Sequence, residues 1–78
     1  MAMEEIKLLD VVALLEDVPG EGLRRGEVGT VVEVFPGQTD LPKAFLVEFS
    51  GDDGVPYAFA DLRPDQLMKL YFRKDEAA

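Results

Sequence analysis

Seventy-eight residues suffice for one domain near the lower end of sizes that fold without a crosslink, where roughly 60–65% of the unfolded surface is buried on folding. The sequence has no cysteine and no histidine, which excludes disulfides, thiol chemistry and Cys/His zinc sites, and suits a cytoplasmic setting. Sixteen acidic against eight basic residues give a net charge of −8; residues 1–36 carry −5, residues 37–60 carry −3 and residues 61–78 are neutral, so a phosphate backbone would be repelled and nucleic-acid binding is disfavoured.

Residues 1–9 form a lead-in whose pattern fits a helical turn or an edge strand equally well. They show no basic leader followed by an apolar run, and the longest unbroken apolar stretch, Val11 to Leu15, is far short of the roughly 20 residues that cross a bilayer. Neither a signal peptide nor a membrane anchor is expected. Asp10 to Leu15 reads as the first strand, with Val12 and Leu14 on one face and Val11, Ala13 and Leu15 on the other. Pro19, Gly20 and Gly22 then open a loop from Glu16 to Gly22.

Gly26-Glu27-Val28-Gly29-Thr30-Val31-Val32-Glu33-Val34-Phe35 is the most telling run. Two glycines three apart feed directly into β-branched residues, which places a tight turn before a second strand over Glu27 to Phe35. Pro36-Gly37 ends it, and Gln38 to Pro42 is a polar loop. The third strand, Lys43 to Ser50, alternates cleanly, with Phe45, Val47 and Phe49 facing the core and Leu46 and Glu48 facing away. Gly51-Asp52-Asp53-Gly54 makes a hairpin turn, and Val55 to Ala60 returns antiparallel with Tyr57 and Phe59 as its inward pair and Pro56 marking a free edge.

Within Asp61 to Leu67, Pro64 and Asp65 suit a single 3₁₀ turn. A last strand follows, in which Met68, Leu70 and Phe72 alternate against Lys69, Tyr71 and Arg73 and pair with the first strand. Residues 74–78 read as a frayed tail. The expected fold is therefore all-β: a small five-stranded SH3-like barrel over residues 10–73, closed so as to leave no unpaired edge, with the 3₁₀ turn before its last strand.

No catalytic constellation emerges. Glu48, Asp52 and Asp53 lack the spacing of a calcium loop and read as a solvated hairpin tip, and no nucleophile or base stands near any carboxylate pair. The glycines of residues 20–29 open a strand, not a helix, so they make no phosphate cradle. No catalytic, cofactor-binding or metal-ligating residue is assigned, and the chain is read as a non-enzyme. Once Phe45, Phe49, Tyr57, Phe59 and Phe72 fill the barrel, Phe35, Tyr71, Leu46, Val31, Val11 and Leu15 remain on the second faces of their strands. Such a surplus marks a protein interface. Phe35, Leu46 and Tyr71, with the basic pair Arg24-Arg25, are the candidate partner-binding residues, and the partner is a protein or a second copy.

Asp10-Val11-Val12-Ala13-Leu14, the Gly26 to Glu33 run, Phe45-Leu46-Val47-Glu48-Phe49 and Leu62-Arg63-Pro64-Asp65-Gln66-Leu67 occur in this order, and together they resemble a bacterial family called domain of unknown function 4926, common in cyanobacteria. The resemblance covers about Ile6 to Leu70. It implies an SH3-like barrel and a stand-alone small protein, often encoded beside another small open reading frame in a manner similar to toxin–antitoxin pairs; it assigns no functional residue. Gly26 to Val34 also looks like the KOW motif of ribosomal and transcription-elongation proteins, but Glu27 and Glu33 stand where RNA-binding KOW modules carry Lys and Arg. The leading expectation is an acidic protein-binding module with an antitoxin-like role against a basic neighbour. The alternative is a KOW-like nucleic-acid or ribosome-associated factor using Arg24, Arg25, Arg63, Lys69, Arg73 and Lys74.

Overall fold

The computed structural model describes residues 5–71. Among them lie five strands: β1 (Val11–Leu14), β2 (Val28–Phe35), β3 (Ala44–Ser50), β4 (Pro56–Leu62) and β5 (Leu67–Lys69). Two 3₁₀ turns, Pro19–Glu21 and Pro64–Gln66, complete the architecture. The second is the turn expected before the last strand, and the first falls inside the segment read as a loop. Both begin at proline, whose fixed φ suits the first helical position. Phe72 and the tail 74–78 lie outside the described residues.

All pairings are antiparallel and form one sheet in the order β4-β3-β2-β1-β5. The last strand thus lies on the first, as its pattern predicts. The sheet is not closed into a barrel, however: β4 and β5 are its two edges. β5 has only three residues, so the row of backbone groups on its open edge is short. Curvature comes from β2, where the register slips between Val31 and Glu33, leaving Val32 as the extra residue of a bulge that strengthens the local twist.

The concave side holds the core: Val12 and Leu14, Val31, Phe45, Val47 and Phe49, Ala60 and Leu62, and Leu67, with Ile6 and Leu23 supplied from outside the strands. Alternation in β3 is as expected, with its three inward residues essentially sealed from solvent. Three expectations are corrected. Val31 is fully buried, not surplus. Tyr57 and Phe59 are half-exposed, while Ala58, Ala60 and Leu62 point inward. Directly opposed residues share a face, so Phe49 lies against Ala58, Val47 against Ala60 and Phe45 against Leu62; the bulky β3 side chains leave room mainly for small ones on β4. The register shift between Phe49 and Ser50 makes Tyr57 an extra residue, and its ring leans on Phe49 at a centroid distance of 6.5 Å. In β5 the phase is one residue off: Leu67 and Lys69 lie opposite Leu14 and Val12, which face inward, and Met68 is exposed.

Two glycines are required by geometry. Gly26 has φ +92° and turns the chain into β2. Gly29 has ordinary strand dihedrals but crosses β3 so closely that a Cβ would lie 2.6 Å from Val47 Cγ1 and 2.8 Å from the Glu48 carbonyl oxygen.

Candidate functional site

The unpaired edge of β5 borders a groove of about 530 Å³, within the range of small ligand pockets. Three stretches distant in sequence build it: Glu5-Ile6 of the lead-in, Lys43 and Phe45 at the start of β3, and the segment from Pro64 to Tyr71, with Leu15 at the end of β1. Its base is apolar, since Ile6, Phe45 and Leu67 are core residues that turn part of their surface to it.

Asp10 organises the lead-in. Its Oδ2 accepts a hydrogen bond from the Lys7 backbone N–H at 2.8 Å and lies 3.2 Å from Lys69 Nζ. Lys69 also donates to the Glu5 carbonyl oxygen at 3.3 Å, so an inward-facing lysine is matched by anionic and dipolar partners at the groove rim. Lys43 Nζ stands 3.9 Å from Glu5 Oε2 and 5.5 Å from the centre of the Phe45 ring. Lys69 Nζ lies 5.2 Å from the Tyr71 ring. Both ammonium groups thus rest on aromatic faces.

Gln66 fixes the 3₁₀ turn that separates the groove residues Pro64 and Leu67. Its Oε1 accepts from the Arg63 backbone N–H at 2.8 Å, capping the 3₁₀ turn, while its Nε2 donates to Glu16 Oε2 at 3.2 Å. On the other side of β1, where the Leu14 N–H donates to its carbonyl oxygen, Glu27 clasps the entry to β2. It accepts from the Arg24 backbone N–H at 2.7 Å and from the Tyr57 hydroxyl at 2.6 Å. The Tyr57 hydrogen bond, then that from Arg24, holds the Glu27 carboxyl below the usual carboxylate range; the same carboxylate raises the Tyr57 phenol.

The five residues singled out from sequence fall in three places. Phe35 and Leu46 sit on the convex face, Phe35 opposite Ala44 and Leu46 opposite Glu33. Tyr71 borders the groove. Arg24 and Arg25 belong to the turn before β2, where the Arg25 backbone N–H donates to Asp17 Oδ1 at 2.8 Å. Sequence reasoning missed Ile6, Lys43 and Lys69 at the groove and the Glu27–Tyr57 clasp. The one available signal was Lys69, a lysine in phase with the inward residues Leu67 and Val12 once the strand is started at Leu67.

Among the described residues no three acidic side chains converge as a cation site. Asp53 Oδ1 instead accepts from the Val55 N–H at 3.0 Å within the hairpin turn. No helix among them is long and apolar enough to cross a membrane.

A family model described as domain of unknown function, DUF4926, matches residues 8–69. The chain belongs to the DUF4926 family. The matched span begins just after Ile6 and ends at Lys69, so it takes in all five strands and the groove walls contributed by β1, β3 and β5. No curated protein and no solved structure matches the chain.

Proposed function

We propose that this DUF4926 protein is a non-enzymatic, SH3-like protein-binding module. The strand order with a 3₁₀ turn before the last strand supports the SH3-like assignment, as a barrel left open along one seam. The observation that carries the binding role is the apolar surface on an acidic body: Leu15, Met68 and Tyr71 are largely exposed around the groove, and Val28, Phe35 and Phe59 elsewhere. Exposed apolar side chains grouped around a concavity are the kind of surface that partners cover. The net charge of −8 steers a basic partner toward the molecule at long range, which fits an antitoxin-like role in the cytoplasm beside a small neighbouring protein. A KOW-like role is less favoured, because Arg63 is paired with Asp65 at 3.0 Å, Lys69 with Asp10, and Arg24 and Arg25 belong to a separate turn.

Co-purification of the tagged full chain from its host, followed by mass spectrometry and titration of the recovered protein, tests this. A single stoichiometric partner released by Tyr71→Asp or Phe59→Asp is expected. A monomer that recovers nothing in that experiment would overturn it.

A further inference from the structure

We propose that the groove along β5 docks an extended segment of a partner protein in which an acidic residue is followed directly by a branched apolar one. This rests on the protein-binding reading and names the chemistry of the segment that enters the groove. The chain itself displays the pattern. Glu5 and Ile6 form one wall: the isoleucine is buried in the core, the preceding carboxylate reaches toward Lys43, and the Glu5 carbonyl accepts from Lys69. About 530 Å³ remains beside them, lined by Leu15, Phe45, Leu67, Met68 and Tyr71, which is room for a further short stretch of the same kind.

Locally, Lys43 favours an acidic residue in that stretch, within a partner whose overall charge is basic. Lys69 is committed to Asp10 at 3.2 Å, but the contact of Lys43 with Glu5 is long, at 3.9 Å, and the Glu5 side chain is 69% exposed. An incoming carboxylate can therefore share or replace it on Lys43, whose ammonium carries three donors. The backbone fits as well. Leu15 donates to the Gln66 carbonyl and Leu70 to the Val11 carbonyl, so residues 66, 68 and 70 direct their main-chain groups to β1. By antiparallel alternation the Lys69 N–H and C=O point away from β1, toward the open side, where an added strand can pair.

The test is an NMR titration of the full chain with three blocked tetrapeptides, Thr-Glu-Ile-Thr and its Gln and Lys counterparts, alongside hexanoate. Saturable shifts at Lys43, Phe45 and Leu67 to Tyr71 are expected with the Glu peptide, and the Gln peptide should bind up to about fivefold more weakly. Lys43→Gln should erase that difference while keeping the fold, and Glu5→Ala, which removes the resident carboxylate, should tighten the Glu peptide. No shifts in the groove, or equal affinity for the Glu and Lys peptides, would overturn the proposal. So would hexanoate matching the peptide, which would make the groove a small-carboxylate site, or shifts of the same amides on dilution alone, which would make it a contact between two copies. A partner recovered from the host that binds through Phe59 without touching these amides would refute the groove assignment and leave the binding role standing.

Discussion

Gly29→Ala is the most informative single change, because its effect arises from contact distances and not from backbone conformation. The added methyl would meet Val47 Cγ1 at 2.6 Å, Glu48 O at 2.8 Å and Phe49 Cδ2 at 3.0 Å. Val47 and Phe49 are fully buried, valine has a stiff χ1, and the carbonyl is part of the β2–β3 ladder, so relief requires the two strands to separate. Such overpacking costs about 3 kcal/mol, and the gain from a less flexible unfolded chain returns roughly 0.5. A net loss of about 2–3 kcal/mol is expected from a domain whose total stability is on the order of 4–12 kcal/mol. In thermal melts followed by far-UV circular dichroism this corresponds to a fall of about 10–20 °C. Gly20→Ala is the control, since nothing lies within 4 Å of its Cβ position; it should shift stability by no more than about 0.5 kcal/mol. A Gly29→Ala protein that melts together with the Gly20→Ala protein would refute the close approach of β2 to β3.

Phe59→Ala should destabilise by less than about 1 kcal/mol and Leu62→Ala by about 2–5 kcal/mol in urea unfolding, despite the larger side chain lost at Phe59, because only Leu62 faces the core. Equal losses would restore the reversed orientation of β4. Gln66→Ala removes the acceptor for the Arg63 N–H and the donor to Glu16 from a buried position, and a loss of about 1–2 kcal/mol is expected by the same measurement. The Glu27–Tyr57 clasp predicts two pH limits. Glu27 is held below its unfolded pKa, so its contribution is present above that value and lost as the pH falls below about 4. Tyr57 is raised, so its contribution is present below about pH 10 and lost as the pH climbs through the raised value. Tyr57→Phe should remove the alkaline limb of a plot of urea midpoint against pH and shrink the acid limb, where the Arg24 N–H still holds Glu27; an unchanged profile would remove the clasp from the account.

The third strand was legible because Glu48 fixes which side is wet, leaving Phe45, Val47 and Phe49 for the interior. β4 carries the same kind of marker in Asp61, in phase with Tyr57 and Phe59, but a strand ended at Ala60 omits it, and choosing the larger pair as inward ignores that the opposing strand has already filled the space. In β5 a start displaced by one residue exchanges the two faces, which hid Lys69. Barrel closure was read from the count and spacing of strands, but the length of β5 decides it. Of the groove only the phase of Lys69 was legible, since Glu5, Lys43 and Lys69 meet only once β1, β3 and β5 have been placed, and none of them belongs to a recognisable motif.

The bulky-against-small match between β3 and β4 also restricts how the chain can diversify. A larger residue at Ala60 is admissible only with a smaller one at Val47, and likewise for Ala58 with Phe49, so these positions should change as compensating couples whose combined volume is conserved. Phe59, freed from that constraint by pointing outward and taking no part in the Glu27–Tyr57 clasp, is where new recognition chemistry can arise at little cost to folding.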